Sequence, residues 1–232
     1  MDGQNVSVII AAYNEEKNIL ETVRRVRKAV PKAEIIVVDD GSTDKTADVA
    51  KSDRSLKVIV ASYKKNRGKG HAIQVGIKRA TRPIQVQIDA DSQFLAEEIP
   101  MIVQPILDRK ADIVFCSRFA KGSVIEKGSL TKSRWLANQV VSGLTSILSG
   151  TRLTDVNAGF KAWTAKAARD IDIKCDHFGY EPEIAILAGK KGYRIVEVPV
   201  TYAARNKGST SVNLMRDGVR IPLFLLKTKF FR

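Results

Sequence analysis

Two aspartates one residue apart, Asp89 and Asp91, directly follow the apolar run Ile84-Gln85-Val86-Gln87-Ile88. Hard divalent ions such as Mg2+ or Mn2+ prefer oxygen ligands and are commonly shared between one or two carboxylates and substrate phosphates. Two carboxylates separated by the small Ala90 suit that task, and Gln93 adds a neutral oxygen two positions on. The same acids would also serve as caps for a helix starting near Leu95. Two further clusters sit after apolar runs. Val37-Val38-Asp39-Asp40-Gly41-Ser42-Thr43-Asp44 ends in two acids, a turn glycine and a Ser/Thr pair suited to capping the next helix. There Asp39 can also accept hydrogen bonds from a base or ribose. In Ala11-Ala12-Tyr13-Asn14-Glu15-Glu16, Tyr13 offers a ring to lie against a base and Glu15 an acceptor for a ribose hydroxyl.

The elements that must position these clusters are legible from periodicity. Val- and Ile-rich runs at 6–11, 34–39, 57–61, 84–89 and 112–117 predict strands, and the stretches 15–29, 43–51, 70–80 and 97–108 predict helices between them. Ile19, Leu20, Val23 and Val26 fall on one helical face. This βαβ rhythm implies an α/β fold with a mostly parallel sheet and helices on both faces, whose ligands bind beyond the carboxyl ends of the strands. The second half is less regular. A basic loop at 121–134 precedes an amphipathic helix over 135–148; another helix is expected over 180–189 and a strand over 195–201. The tail, 214–232, is helical in period, with Lys227, Lys229 and Arg232 interleaved among Leu225, Leu226, Phe230 and Phe231.

Composition narrows the function classes. The 232 residues, 44% hydrophobic, are enough for one domain with a short appendage. No apolar run is long enough for a membrane-spanning helix, and no secretory leader is read at the N-terminus. Two histidines far apart argue against zinc, and Cys116, within Ile113-Val114-Phe115-Cys116, reads as a packed small hydrophobe rather than half of a disulfide. The 39 Lys+Arg against 25 Asp+Glu leave a net charge of +14. That excess attracts polyanions. With no nucleic-acid module in the sequence, the charge points to a membrane surface or a phosphorylated substrate rather than nucleic acid.

Taken in order, the 7–16 segment, 37–42, Asn66-Arg67-Gly68-Lys69-Gly70 and Asp89-Ala90-Asp91 strongly resemble the family-2 glycosyltransferases of the GT-A fold, a Rossmann-like nucleotide-binding architecture, over nearly the whole chain. Cys116-Ser117-Arg118-Phe119, the segment 154–161, and Glu197-Val198-Pro199-Val200 followed by 205–211 resemble the branch of dolichyl-phosphate mannose synthases and polyprenyl-phosphate glycosyltransferases. The resemblance implies a GT-A catalytic domain over 1–213 and an amphipathic helix over 214–232, either lying at a membrane interface or leading to spans beyond it. It implies a nucleotide-sugar pocket lined by Ala11, Tyr13, Glu15, Asp39, Asp40, Lys69 and Asp89. Asp89, Asp91 and Gln93 would hold Mg2+ or Mn2+. Arg118, Arg134 and Arg205 would grip phosphate, as suits a planar guanidinium. Three segments depart from the family pattern: 178–183 carries extra acids, Ser209-Thr210-Ser211 replaces the usual Ser-Lys, and Ser92-Gln93-Phe94 replaces the commoner loop after the second aspartate.

The implied reaction is inverting, metal-dependent transfer of a hexose, foremost mannose from GDP-mannose, to a polyprenyl or dolichyl phosphate on the cytoplasmic face of a membrane. UDP-glucose is the alternative donor. An ionised lipid phosphate needs no general base. A sugar hydroxyl acceptor would need one, with Asp155 as first candidate and Glu181 as second. A non-catalytic nucleotide-sugar-binding module is the alternative of another class.

Overall fold

A computed structural model describes residues 1–204 and 224–232 of the chain. The first half alternates regularly through β1 (Val6–Ala12), α1 (Ile19–Ala29), β2 (Glu34–Asp39), α2 (Thr46–Lys51), β3 (Val58–Ser62), α3 (Lys69–Arg79), β4 (Ile84–Asp89), α4 (Ile99–Leu107) and β5 (Ile113–Ser117). The second half holds β6 (Val124–Ile125), α5 (Lys132–Ser149), β7 (Lys161–Thr164), α6 (Ala165–Ile171), α7 (Tyr180–Lys190), β8 (Ile195–Pro199) and β9 (Thr201–Tyr202). Residues 224–231 are helical; the rest of the predicted tail helix, 214–223, lies outside the described residues.

Seven strands form one sheet in the order β3-β2-β1-β4-β7-β5-β8, with only β7 antiparallel to its neighbours. The near-continuous apolar runs of β1, β2 and β5 reflect burial on both faces, as a helix-covered parallel sheet requires. Val8 and Ile10 point to the layer of α1 and α4 (Val23, Val26, Ile102, Val103), whereas Ile9 points to α3 (Ile73, Ile77) on the other side. Each of these side chains is almost fully buried, worth about 2 kcal/mol apiece against exposure. Gly76 lets α3 come this close: a Cβ there would fall 2.3 Å from Cγ2 of Ile9. α6 and α7 continue the second layer, and α5 packs outside α7.

Two differences from the sequence expectations have local causes. The helix expected from residue 43 starts at Thr46 and is not capped by Ser42 or Thr43, because Ser42 turns back to the Asp39 carboxylate while Asp44 accepts the N–H of Thr46 at 2.9 Å. β7 and α6 were not anticipated: four residues of strand give too short a periodicity, and the lysine that opens β7 masks its apolar pattern.

Candidate active site

β1 lies between β2 and β4, so the chain leaves it in opposite directions across the sheet and opens a crevice at the carboxyl edge. The register lines up the functional residues there: Ala12 pairs with Asp39, and Ala11 with Asp89. At normal strand spacing Asp39 and Asp89 stand about 10 Å apart along this edge.

The loops after β1 and β2 are stitched into one wall. Asn14, in the left-handed region at φ 55°, donates its N–H to Ser42 Oγ at 3.0 Å, and its side-chain oxygen accepts the N–H of Thr43 at 2.8 Å. Glu15 N–H donates to Thr46 Oγ1 at 2.8 Å, and Asn18 Nδ2 donates to the Glu15 carboxylate at 2.6 Å. Tyr13 stands 43% exposed at the lip of this wall. Asp39 is buried and holds Ser42 through its Oδ1. Asp40, read as a nucleotide contact, clasps the loop after β3. Its carboxylate accepts from Tyr63 Oη at 2.7 Å, Asn66 Nδ2 at 3.0 Å, Arg67 N at 2.8 Å and Gly68 N at 2.9 Å, which leaves it no capacity for a ligand.

At the end of β4 the capping alternative for Asp89 and Asp91 fails. The next turn starts at Ala96, and its N-cap Leu95 receives no side-chain bond. Asp89 instead meets Lys69 Nζ at 2.8 Å, and Gly159 packs flat against its carboxylate, where a Cβ would fall 2.0 Å from Oδ2. Asp91 Oδ1 accepts the Gln93 N–H at 3.1 Å. The Gln93 amide is spent elsewhere: Nε2 donates to the Ala203 carbonyl at 3.0 Å and Oε1 accepts from Tyr202 Oη at 3.0 Å. The Gln93 side chain, read as a candidate metal ligand, thus ties the Asp91 loop to β9 and the residue after it. Among the described residues no three His, Cys, Asp or Glu side chains gather as a metal cage.

Behind Asp89 runs a chain of alternating charge that sequence reading missed. Lys69 reaches Glu181 at 3.4 Å, and Glu181 reaches the fully buried Lys161 at 3.5 Å. Tyr180 Oη donates to Glu181 at 3.1 Å and accepts from Gln87 Nε2 at 2.6 Å. Burial of Lys69 opposes its charge, but the neighbouring Asp89 and Glu181 outweigh it and hold the ammonium well above its ordinary value. Burial dominates at Lys161 and pulls it below. A lysine between Phe160 and Ala162-Trp163 was the available signal, since a charge inside an apolar run is a buried charge in need of a partner. Glu181, read as the second candidate base, has a side chain 3% exposed and paired with two ammonium groups.

The second half of the cleft centres on Arg118. Its Nε donates to Asp155 Oδ2 at 2.6 Å, its Nη2 to Oδ1 at 2.8 Å, and its own backbone N–H to Oδ2 at 3.0 Å. Burial disfavours the guanidinium, and the Asp155 carboxylate more than compensates, so Arg118 titrates above its ordinary value. The guanidinium also lies 5.0 Å from the centre of the Tyr202 ring. Asp155, read as a candidate general base, is fully buried, and both its oxygens are paired with Arg118. Glu197 holds the segment from behind, accepting the N–H groups of Thr154 and Asp155 at 2.7 and 3.0 Å. Burial raises the Glu197 carboxyl above the usual range despite these bonds. Arg134 sits in the first turn of α5, its N–H received by the Thr131 cap at 3.4 Å. Arg205 lies outside the described residues.

The comparisons with known proteins agree with this architecture. Residues 7–167 match the model of glycosyl transferase family 2. The chain belongs to that family and is a glycosyltransferase. It is 34% identical to an uncharacterised protein of Methanocaldococcus jannaschii, covering 97% of this chain and 93% of that one. It is 31% identical to the undecaprenyl-phosphate mannosyltransferase of Micrococcus luteus (90% and 87% covered), and 31% identical to the UDP-N-acetylglucosamine--dolichyl-phosphate N-acetylglucosaminyltransferase of Methanococcus voltae (84% of each). Glucosyl-3-phosphoglycerate synthase of Mycobacterium tuberculosis, crystallised with Mn2+, UDP and its product, has the same GT-A fold, with a TM-score of 0.74 at 20% identity over 98% of this chain and 80% of that one.

Proposed function

We propose that the protein transfers a hexose from a nucleoside-diphosphate sugar to a polyprenyl phosphate, with inversion, and that mannose from GDP-mannose is the sugar. The observation that carries the acceptor is the state of the two carboxylates read as bases: Asp155 is fully buried in its pair with Arg118, and Glu181 is closed in between two lysines. A site with neither free suits an acceptor that is already ionised, as a phosphate is. The relatives from Micrococcus luteus and Methanococcus voltae, whose names specify undecaprenyl and dolichyl phosphate, support the same acceptor class. Mannose rests on the first of these names.

In this reading the wall of Tyr13, Glu15 and Asp39 takes the nucleoside, and the diphosphate extends along the sheet edge toward Asp89 and Asp91. Those carboxylates fit a divalent ion of the Mg2+ or Mn2+ class: both are hard oxygen donors, and Gly159 leaves room for the Asp89 carboxylate in one place. Two protein carboxylates, with the remaining positions filled by phosphate and water, is a normal donor set for such an ion. Bound there, it would neutralise charge on the leaving diphosphate. Lys69 keeps Asp89 oriented. Arg118, fixed to Asp155 through Nε and Nη2 and lying over the Tyr202 ring, holds the acceptor phosphate through Nη1. Arg134 contributes a second cation from the start of α5, and Arg205 a third.

The test is transfer from radiolabelled GDP-mannose, UDP-glucose and UDP-N-acetylglucosamine to a polyprenyl phosphate or a free glycan, with and without chelator. Mannosyl transfer to the phosphate alone, lost with chelator and restored by Mn2+, is expected. Transfer to the glycan would overturn the acceptor, and a UDP-sugar preference would overturn the donor.

A further inference from the structure

Arg232 joins two helices from outside. Its Nη1 donates to the Glu183 carboxylate, and its Nη2 donates to the Asp172 carbonyl at 2.8 Å. One guanidinium thus spans the end of α6 and the first turn of α7, the two ends of the connection 172–179. The helix at 224–231 delivers it there: Leu225 is fully buried beside Leu148 and Ile186, and Lys190 Nζ donates to the Lys229 carbonyl at 2.9 Å. Glu183 is fully buried, and a buried carboxylate is costly unless it is paired. Burial pushes its carboxyl up, while Arg232 and backbone N–H groups pull the other way. Those N–H groups belong to Lys174 and Cys175, accepted at 3.2 and 2.9 Å.

The turn that Glu183 grips lies against the donor side of the cleft. The Asp176 carbonyl accepts the His71 N–H at 3.1 Å. A Cβ on Gly68 would fall 2.3 Å from the Asp176 carbonyl oxygen, and one on Gly70 would fall 2.1 Å from that of Cys175. Lys69, between these glycines, faces Asp89 at 2.8 Å and Glu181 at 3.4 Å. Glu181 shares the first turn of α7 with Glu183. Both supports of Lys69, the 174–177 turn behind it and Glu181 beside it, therefore lead back to Glu183.

We propose that Arg232 is a positioning residue of the donor site: through Glu183 it clamps the 174–177 turn onto the Lys69 turn and so fixes the ammonium that orients Asp89. The pair is shielded enough to carry this role, with the Arg232 side chain 25% exposed and that of Glu183 fully buried. Exposed ion pairs contribute little, whereas removing one member of a buried pair leaves an uncompensated charge that must move or protonate. Either response loosens the hold on the Lys174 and Cys175 N–H groups. The inference rests on the metal reading of Asp89 for its effect on the ion, and on geometry alone for the clamp.

The experiment compares amide hydrogen exchange in the full chain for wild type, Arg232→Met and Phe231→Ala, below the unfolding midpoint of each. Phe231 is 81% exposed on the same helix and serves as the control. Arg232→Met should speed exchange at 174–177 and at 68–72 while 39–46 exchanges as in wild type; Phe231→Ala should alter none of these. Calorimetry with Mn2+ and GDP or UDP should show ion binding about tenfold weaker in Arg232→Met, the scale of losing a partner behind a metal ligand. Adding Glu183→Gln to Arg232→Met removes the stranded charge and keeps an oxygen for the Cys175 N–H, so most of the protection and affinity should return. Faster exchange confined to 224–231, or unchanged ion affinity despite faster exchange at 68–72, would overturn the proposal. If Arg232→Met does not fold, a folded double variant with wild-type protection and affinity supports the clamp, and one that stays unfolded or unprotected overturns it. Exchange that responds at both turns in a protein whose wild type binds no Mn2+ would support the clamp and overturn the metal reading instead.

Discussion

At the carboxyl ends of β1, β2 and β4, each residue assigned to the nucleotide lies within a few positions of its own strand and is held by neighbours in the same or the adjacent loop: Asn14 with Ser42, Glu15 with Thr46, Asp39 with Ser42. Across the cleft, Arg118 depends on Asp155, Asp155 on Glu197, and the whole segment on the polar side of α5. The first region is a preformed edge whose side chains line the crevice beyond β1, β2 and β4. The second is an internal ion pair in which burial and positioning cannot be separated. Damage should therefore reach chemistry in the first region without stability, and stability together with chemistry in the second.

The largest effect tests the second region. Asp155→Ala strands the Arg118 guanidinium without its bidentate partner, which should cost about 3–5 kcal/mol of folding free energy, read as a drop in the denaturation midpoint. Replacing both members by apolar residues of similar volume (Arg118→Met with Asp155→Leu) should recover most of that stability while leaving transfer abolished. Next is Asp91→Ala, on the half-buried loop after β4: transfer should fall about 10²–10³-fold with a far smaller drop in the denaturation midpoint than in Asp155→Ala. An equal loss of stability in both variants would erase the contrast.

The same contrast explains what the sequence made legible. β1, β2, β4 and β5 were readable because their apolar runs are buried on both faces, the edge strand β3 because it keeps the same Val/Ile composition, and the Asp89 and Asp39 clusters because a strand end places whatever follows it in the crevice. The acceptor side depends on what α5, β7 and β8 bring together. Asp155 reads as a free acid in sequence and becomes a clamp only beside Arg118, 37 positions away. Asp40 and Gln93 show the opposite limit: they adjoin the crevice residues in sequence, but their side chains turn to Gly68 N and Tyr202 Oη, which no local pattern reveals.

Gly159 belongs to the second region in sequence but to the first in space, and so sharpens the boundary. A methyl group there would overlap the Asp89 carboxylate, at 2.0 Å from Oδ2. Displacing a reactant-positioning group by about 1 Å can cost on the order of 10²-fold in rate. Gly159→Ala should lower kcat by about that factor and weaken Mn2+ binding, measured by calorimetry with the nucleoside diphosphate present, while Gly143→Ala, which opens on empty space, changes neither.

The smallest effect is a pH dependence confined to the second region. Burial raises the Glu197 carboxyl above its ordinary value, so the folded state binds this proton more tightly than the unfolded chain. Its contribution to stability is fully present below the unfolded carboxyl pKa of about 4.3 and is lost as pH rises through the raised folded value. Glu197→Gln keeps an oxygen for the N–H groups of Thr154 and Asp155, and its amide can donate to Thr154 Oγ1, which then donates onward to Ser117 Oγ 2.6 Å away. The variant should fold, and subtracting its stability from that of wild type across pH 4–7 should leave a difference that favours wild type increasingly as pH falls. Glu97, which pairs with Arg25 near the nucleotide half, is held below the carboxylate range chiefly by its hydrogen bond to Arg25, so its Gln variant should give a difference of opposite slope. Equal slopes would mean that burial, rather than pairing, governs carboxylates in both regions, and would dissolve the distinction.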